Sequence, residues 1–160
     1  MRADSLRVER AAVAATELSL TRCAELFMAV PVVDQGTDLM AYQADPFRVT
    51  RVQVKGTTDG LTVFRQYSLT PMIVSYVLDP LGTADVCLLT GEEAWGLPDE
   101  YIVRGGEAGD HDPDNNTYRW KKRPALLESM LREHLASPER WLDLFNRTAI
   151  PAPPDDLGGQ

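Results

Sequence analysis

The stretch Arg48-Val49-Thr50-Arg51-Val52-Gln53-Val54-Lys55 constrains the fold more than any other, because its side chains alternate strictly. Successive side chains of an extended chain point to opposite faces, so Thr50, Val52 and Val54 share one side. Arg51, Gln53 and Lys55 share the other. Such a strand belongs to a sheet with an apolar face turned to a core and a polar face turned away from it. Gly56 ends the strand in this reading.

Other short apolar runs supply the rest of the sheet. Residues 26–33 read as a buried strand stopped by the turn signal Asp34-Gln35-Gly36, and a second strand begins near Thr37 and runs to Tyr42. Asp45-Pro46 turns the chain into the alternating strand, and residues 61–64 form a fourth. Residues 72–78 and 84–89 are two further runs. Asp79-Pro80-Leu81-Gly82 between them predicts a hairpin or an adjacent antiparallel pair.

Helical spacing frames these strands. Across residues 4–22, Leu6, Val8, Ala11, Ala12, Ala15 and Leu18 recur at three- and four-residue steps, with Glu9, Val13, Thr16 and Glu17 on other faces. Pro124 suits the first turn of a helix reaching His134. Ser137 then caps a second helix with Pro138 at its first position, and Trp141, Leu142, Leu144 and Phe145 make its apolar face. Residues 91–117, rich in Gly, Asp and Pro, read as irregular. The expectation is one α/β domain over residues 1–147: a central mixed β-sheet, an N-terminal helix and two C-terminal helices. Residues 148–160 read as a disordered Pro/Gly/Asp tail.

Composition narrows the function classes. A hydrophobic fraction of 44% over 160 residues supports one ordinary core, and no apolar run approaches a membrane span. The charged N-terminus lacks the apolar centre of a secretory signal, so the chain reads as cytoplasmic with no membrane partner. Cys23 and Cys87 read as small buried hydrophobes, and His111 and His134 stand apart without ligand spacing. The net charge of −8 weighs against nucleic-acid binding as a whole-molecule property. Binding depends on the local field, however, and Arg119, Lys121, Lys122 and Arg123 form one basic cluster around Trp120, the only tryptophan suited to stacking on a base.

Candidate chemistry lies between the second and third strands. Asp38 follows a glycine turn, and Gln53 and Lys55 share a face of the next strand, so pairing brings the three together. A carboxylate with neutral oxygen donors suits Mg²⁺, and a neighbouring lysine serves an attacked phosphate or its water. Glu9, then Gly36-Thr37-Asp38-Leu39, then Val52-Gln53-Val54-Lys55-Gly56, in the order helix–strand–strand–strand, resembles the PD-(D/E)XK nuclease superfamily. The similarity is to the Holliday-junction-resolvase-like and intron-endonuclease-like branch with glutamine at the (D/E) position.

That resemblance implies a restriction-endonuclease-like core and Mg²⁺-dependent hydrolysis of DNA phosphodiester bonds, with Mn²⁺ as a substitute ion. Asp38 takes the motif aspartate, Gln53 the (D/E) position, Lys55 the lysine, and Glu9 the first-helix glutamate, with Glu17 in reserve. DNA is the implied partner, and a homodimer is admitted. Two departures stand out: Thr37 replaces the proline, and Gln53 removes one negative charge from the site. The alternative is a catalytically inactive nuclease-like domain acting as a binding or regulatory module; a third reading is an acidic interaction domain. Asp110-His111-Asp112-Pro113-Asp114-Asn115 lacks the central glycine of a calcium loop, and Glu92-Glu93 and Asp99-Glu100 read as loop charges.

Overall fold

The computed structural model of the chain describes residues 2–32 and 36–151. It begins with α1 (Arg2–Thr21) and continues through β1 (Phe27–Ala29), β2 (Leu39–Ala44) and β3 (Phe47–Thr57). Next come β4 (Leu61–Phe64), a 3-10 turn (Arg65–Ser68), β5 (Ile73–Leu78) and β6 (Asp85–Thr90). The remaining elements are α2 (Gly91–Val103), β7 (Asp110–Asp112), β8 (Thr117–Trp120), α3 (Ala125–Arg132), α4 (Pro138–Thr148) and β9 (Ile150–Pro151).

The central sheet is mixed, in the order β1-β2-β3-β5-β6, with β9 beside the start of β3. β3 and β5 are parallel, whereas the other neighbours are antiparallel. A second sheet, β4-β8-β7, stands apart from it. β3 is long enough to serve two neighbourhoods: residues 47–52 pair with β2, and residues 52–57 pair with β5. The sheet therefore forks where β2 begins, and β3 runs on past that point.

The side chains of β3 alternate as expected, but its second half is buried on both faces, since Gln53 on the polar side is 6% exposed. Val52 and Val54 face a core shared with α1 and α4, where Trp141, Leu144 and Phe145 are fully buried. Each such side chain contributes about 1.5–3 kcal/mol by leaving water. The opposite core lies under α2, α3 and the small sheet, around Val74, Tyr76, Leu89, Leu97 and Met130. Gly56 explains how α1 approaches so closely: a Cβ there would lie 2.9 Å from Ala12 Cβ and 3.2 Å from Val8 Cγ1. Small residues on both elements thus draw the first turns of α1 against the end of β3.

Several expectations are corrected. The buried stripe of α1 is Ala12, Thr16 and Leu20, while Leu6 and Leu18 are exposed. Thr16 tolerates burial because its hydroxyl bonds to Ser75 Oγ at 2.8 Å and to the Ala12 carbonyl at 2.9 Å. The run 26–33 is not a buried strand: β1 has three residues at the sheet edge, with Phe27 and Met28 exposed. Val33, Asp34 and Gln35 lie outside the described residues.

Residues 91–117 are not irregular, because Thr90 and Glu93 form a capping box that starts α2. Thr90 Oγ1 accepts from the Glu93 N–H at 3.0 Å, and Glu93 Oε2 accepts from the Thr90 N–H at 2.8 Å. Thr148 ends α4 and Ile150–Pro151 pair with β3, so residues 148–151 are ordered structure and not tail. The rest of the expected tail, 152–160, lies outside the described residues.

Candidate functional site

Asp38 stands at the fork, immediately before β2. Its neighbour Leu39 pairs with Val52, so no strand of β2 lies beside β3 beyond that pair. The Asp38 carboxylate occupies this place: Oδ2 accepts from the Val54 N–H at 2.7 Å and from Gln53 Nε2 at 2.6 Å. An acid side chain thereby continues a backbone ladder, which fixes its position more firmly than a loop would.

Gln53 is the site's buried polar group, with 6% of its surface exposed. Its amide nitrogen faces Asp38, while Oε1 is buried with no hydrogen-bond partner among the described residues. An unsatisfied buried acceptor costs about 1–3 kcal/mol, so its retention calls for an explanation. Lys55 lies two residues on and its ammonium rests over two rings, 5.2 Å from the centroid of Phe64 and 5.8 Å from that of Tyr67. The rings thus hold the ammonium itself by cation–π attraction.

Glu9 enters from α1. A cleft of about 580 Å³ is lined by Glu9, Asp38, Gln53 and Lys55, together with Asp4, Val8 and Thr58 among others. The four residues expected to form the site therefore line one cavity, with the helix carboxylate at one wall and the fork of the sheet at the other. Glu17 does not line it; eight residues along a helix carry it roughly 12 Å away. Asp4 also lines the cleft, and its spacing gives no signal for this, since five residues separate it from Glu9 and do not return to the same helix face.

A second cleft of about 410 Å³ adjoins the first, sharing Lys55, Gly56 and Thr58, and reaches Arg119 and Lys121. The basic segment thus meets the end of β3 through the β4–β8 pairing, a contact invisible in the linear order. Arg119, Lys121 and Lys122 are exposed. Arg123 is a correction, with only 7% of its side chain exposed. It pairs with Glu128 at 3.1 Å and donates to Thr57 Oγ1 and the Gly60 carbonyl, each at 3.1 Å. Its charge is used to pin the β3–β4 turn to α3.

Trp120 is also buried, edge-to-face with Tyr101 at 5.9 Å, and presents no ring for stacking. Glu93 is not a loose loop charge: besides its capping role it pairs with Arg140 at 3.0 Å and Arg147 at 2.9 Å. Asp112 accepts from the Asp114 and Asn115 N–H groups and shapes the β7–β8 turn. Cys23 and Cys87 are buried free thiols, and burial pushes the Cys87 thiol up to about 12. No helix among the described residues is long and apolar enough to cross a membrane.

Among the described residues no group of three or more His, Cys, Asp or Glu side chains is placed to hold a metal ion. The oxygen donors around the cleft are three carboxylates, Asp4, Glu9 and Asp38, with the orphan carboxamide oxygen of Gln53 buried behind them. That sparse set fits Mg²⁺, which takes one or two carboxylates and keeps several waters, and it does not fit Zn²⁺. No family model, curated protein or solved structure matches this chain.

Proposed function

We propose that the fork of the sheet is a divalent-metal-dependent phosphodiesterase site acting on DNA, built on a restriction-endonuclease-like core. One observation carries the reading: residues 9, 38, 53 and 55, from three different elements, line a single cleft at the point where β2 stops and β3 continues. The frame of α1, an antiparallel β1–β2–β3 meander and a parallel β5 supports it. So does the adjoining groove towards Arg119 and Lys121, which offers phosphates a basic path on an acidic protein.

In this reading Asp38, Gln53 and Glu9 hold Mg²⁺, which supplies Lewis-acid activation of the phosphate and a more acidic bound water. A turned-over Gln53 carboxamide would present Oε1 in place of Nε2 beside Asp38, adding a neutral oxygen donor to the carboxylates that would hold the ion. Lys55 leaves its aromatic rest to orient the attacking water or to balance charge growing on the phosphate.

A second reading is a catalytically silent module. Two observations favour it: the Gln53 amide NH₂ already donates to Asp38, and Lys55 is held over Phe64 and Tyr67. Incubating the full chain with duplex, single-stranded and four-way-junction DNA separates the two. Cleavage with Mg²⁺ or Mn²⁺ that is lost in Asp38→Asn supports the nuclease. No cleavage of any form with either ion supports the module.

A further inference from the structure

We infer that the uncovered face of the central sheet, across β1, β2 and the first half of β3, is the docking surface for a second copy of this chain. The inference stands apart from the nuclease reading and uses none of its residues. Side chains at Leu39, Ala41 and Val52 turn to the α1 core, so their alternates, Met40, Tyr42, Val49 and Arg51, turn to the opposite face. The elements that cover that face, α2, α3 and the small sheet, pack over β5 and β6. Among the described residues nothing comparable covers β1 and β2.

What remains open is an aromatic row. Phe27 stacks on Tyr42 at 5.4 Å, and Tyr42 meets Phe47 at 5.9 Å. Phe27 is 51% exposed, Phe47 47% and, beside them on β9, Ile150 58%. The two phenylalanines alone leave on the order of 200 Å² of ring surface in water. Ile150, Met40 and Val49 extend the patch to a few hundred Å², the scale at which an exposed apolar face marks an interaction site.

Charge placement selects a second copy over another partner. The chain carries 24 Asp and Glu residues, yet the side chains of β1, β2 and β3 on this face include none. Two copies of an acidic protein meet most cheaply on such a patch. Asp45 lies in the β2–β3 turn at one end of the face and Arg51 towards the other, and neither has an ion-pair partner among the described residues. A two-fold axis in the plane of the interface, perpendicular to β3, reverses the strand and sets Arg51 of one copy over Asp45 of the other, twice. That arrangement closes on itself, as an isologous interface must.

Sedimentation equilibrium of the full chain over about 1–100 μM tests this. The expected result is a dimer that Phe47→Glu weakens at least tenfold while far-UV circular dichroism stays unchanged. Phe27→Glu is the second variant, should the first fail to fold. Arg51→Asp and Asp45→Arg each weaken the dimer, and the two together restore it. A monomer throughout the range gives the face to some other partner and overturns the proposal. A dimer indifferent to both phenylalanine variants overturns it equally.

Discussion

Replacing Gln53 by glutamate tests the energetics of the fork from within. Gln53 Nε2 lies 2.6 Å from Asp38 Oδ2, so Gln53→Glu exchanges a donor for a second negative charge. The lost charge-assisted hydrogen bond is worth about 1.5–3 kcal/mol. Two carboxylates roughly 4 Å apart at an effective dielectric near 20 repel by ~4 kcal/mol, a ceiling because Asp38 is partly exposed and one carboxyl can take a proton. The expected loss of stability is therefore about 2–4 kcal/mol near neutral pH.

Repulsion raises the folded-state pKa of the introduced carboxyl above its unfolded value of about 4.3. The folded state then binds more protons, so the penalty is small below about pH 4 and grows as pH rises towards the folded value. A divalent ion between the carboxylates reverses it, by about 2.7 kcal/mol when the ion is at a hundredfold its Kd. Urea unfolding followed by tryptophan fluorescence, at about pH 4 and pH 7 with and without Mn²⁺, measures all three effects. A loss that is equal at both pH values, or that Mn²⁺ leaves untouched, refutes the reasoning.

Other substitutions bear on separate parts of the account. Lys55→Ala abolishes metal-dependent cleavage, about 10²–10³-fold or more in rate, yet changes the urea midpoint little because it forfeits only its contacts with Phe64 and Tyr67. Neutralising Arg119, Lys121 and Lys122 together weakens DNA binding for all sequences and flattens the dependence of log K on log salt, as read by fluorescence anisotropy. Arg123→Ala instead costs about 1.5–3 kcal/mol of stability, since it removes the charged donor shared by the Gly60 carbonyl, Thr57 Oγ1 and Glu128, although Thr57 still reaches Gly60 and Arg132 still pairs with Glu128; thermal unfolding reads this directly.

The strand that matters most was legible because its pattern is local. Period-two alternation places Gln53 with Lys55 and opposite Val54 whatever the rest of the chain does, and the structure keeps that arrangement. The antiparallel pairing of β5 with β6 was legible from the turn residues between them. The face of α1 was not, because alanine fills several sides of the helix and the buried set includes Thr16, whose partner Ser75 is 59 residues away. In α2, Gly91, Gly96 and Pro98 masked the capping box that starts it. The exposure of β1 follows from its place at the sheet edge, which an apolar run alone does not disclose. Arg123 looked like its basic neighbours until the β3–β4 turn closed over it.

Direct titration of the full chain with Mn²⁺, followed by electron paramagnetic resonance of the free ion, addresses the proposed metal site without depending on substrate choice. One saturable site is expected, with affinity reduced at least tenfold in Asp38→Asn and less severely in Glu9→Gln, in keeping with a fork carboxylate that binds and a helix carboxylate that assists. Binding of equal strength in wild type and Asp38→Asn, or no saturable binding at all, contradicts it.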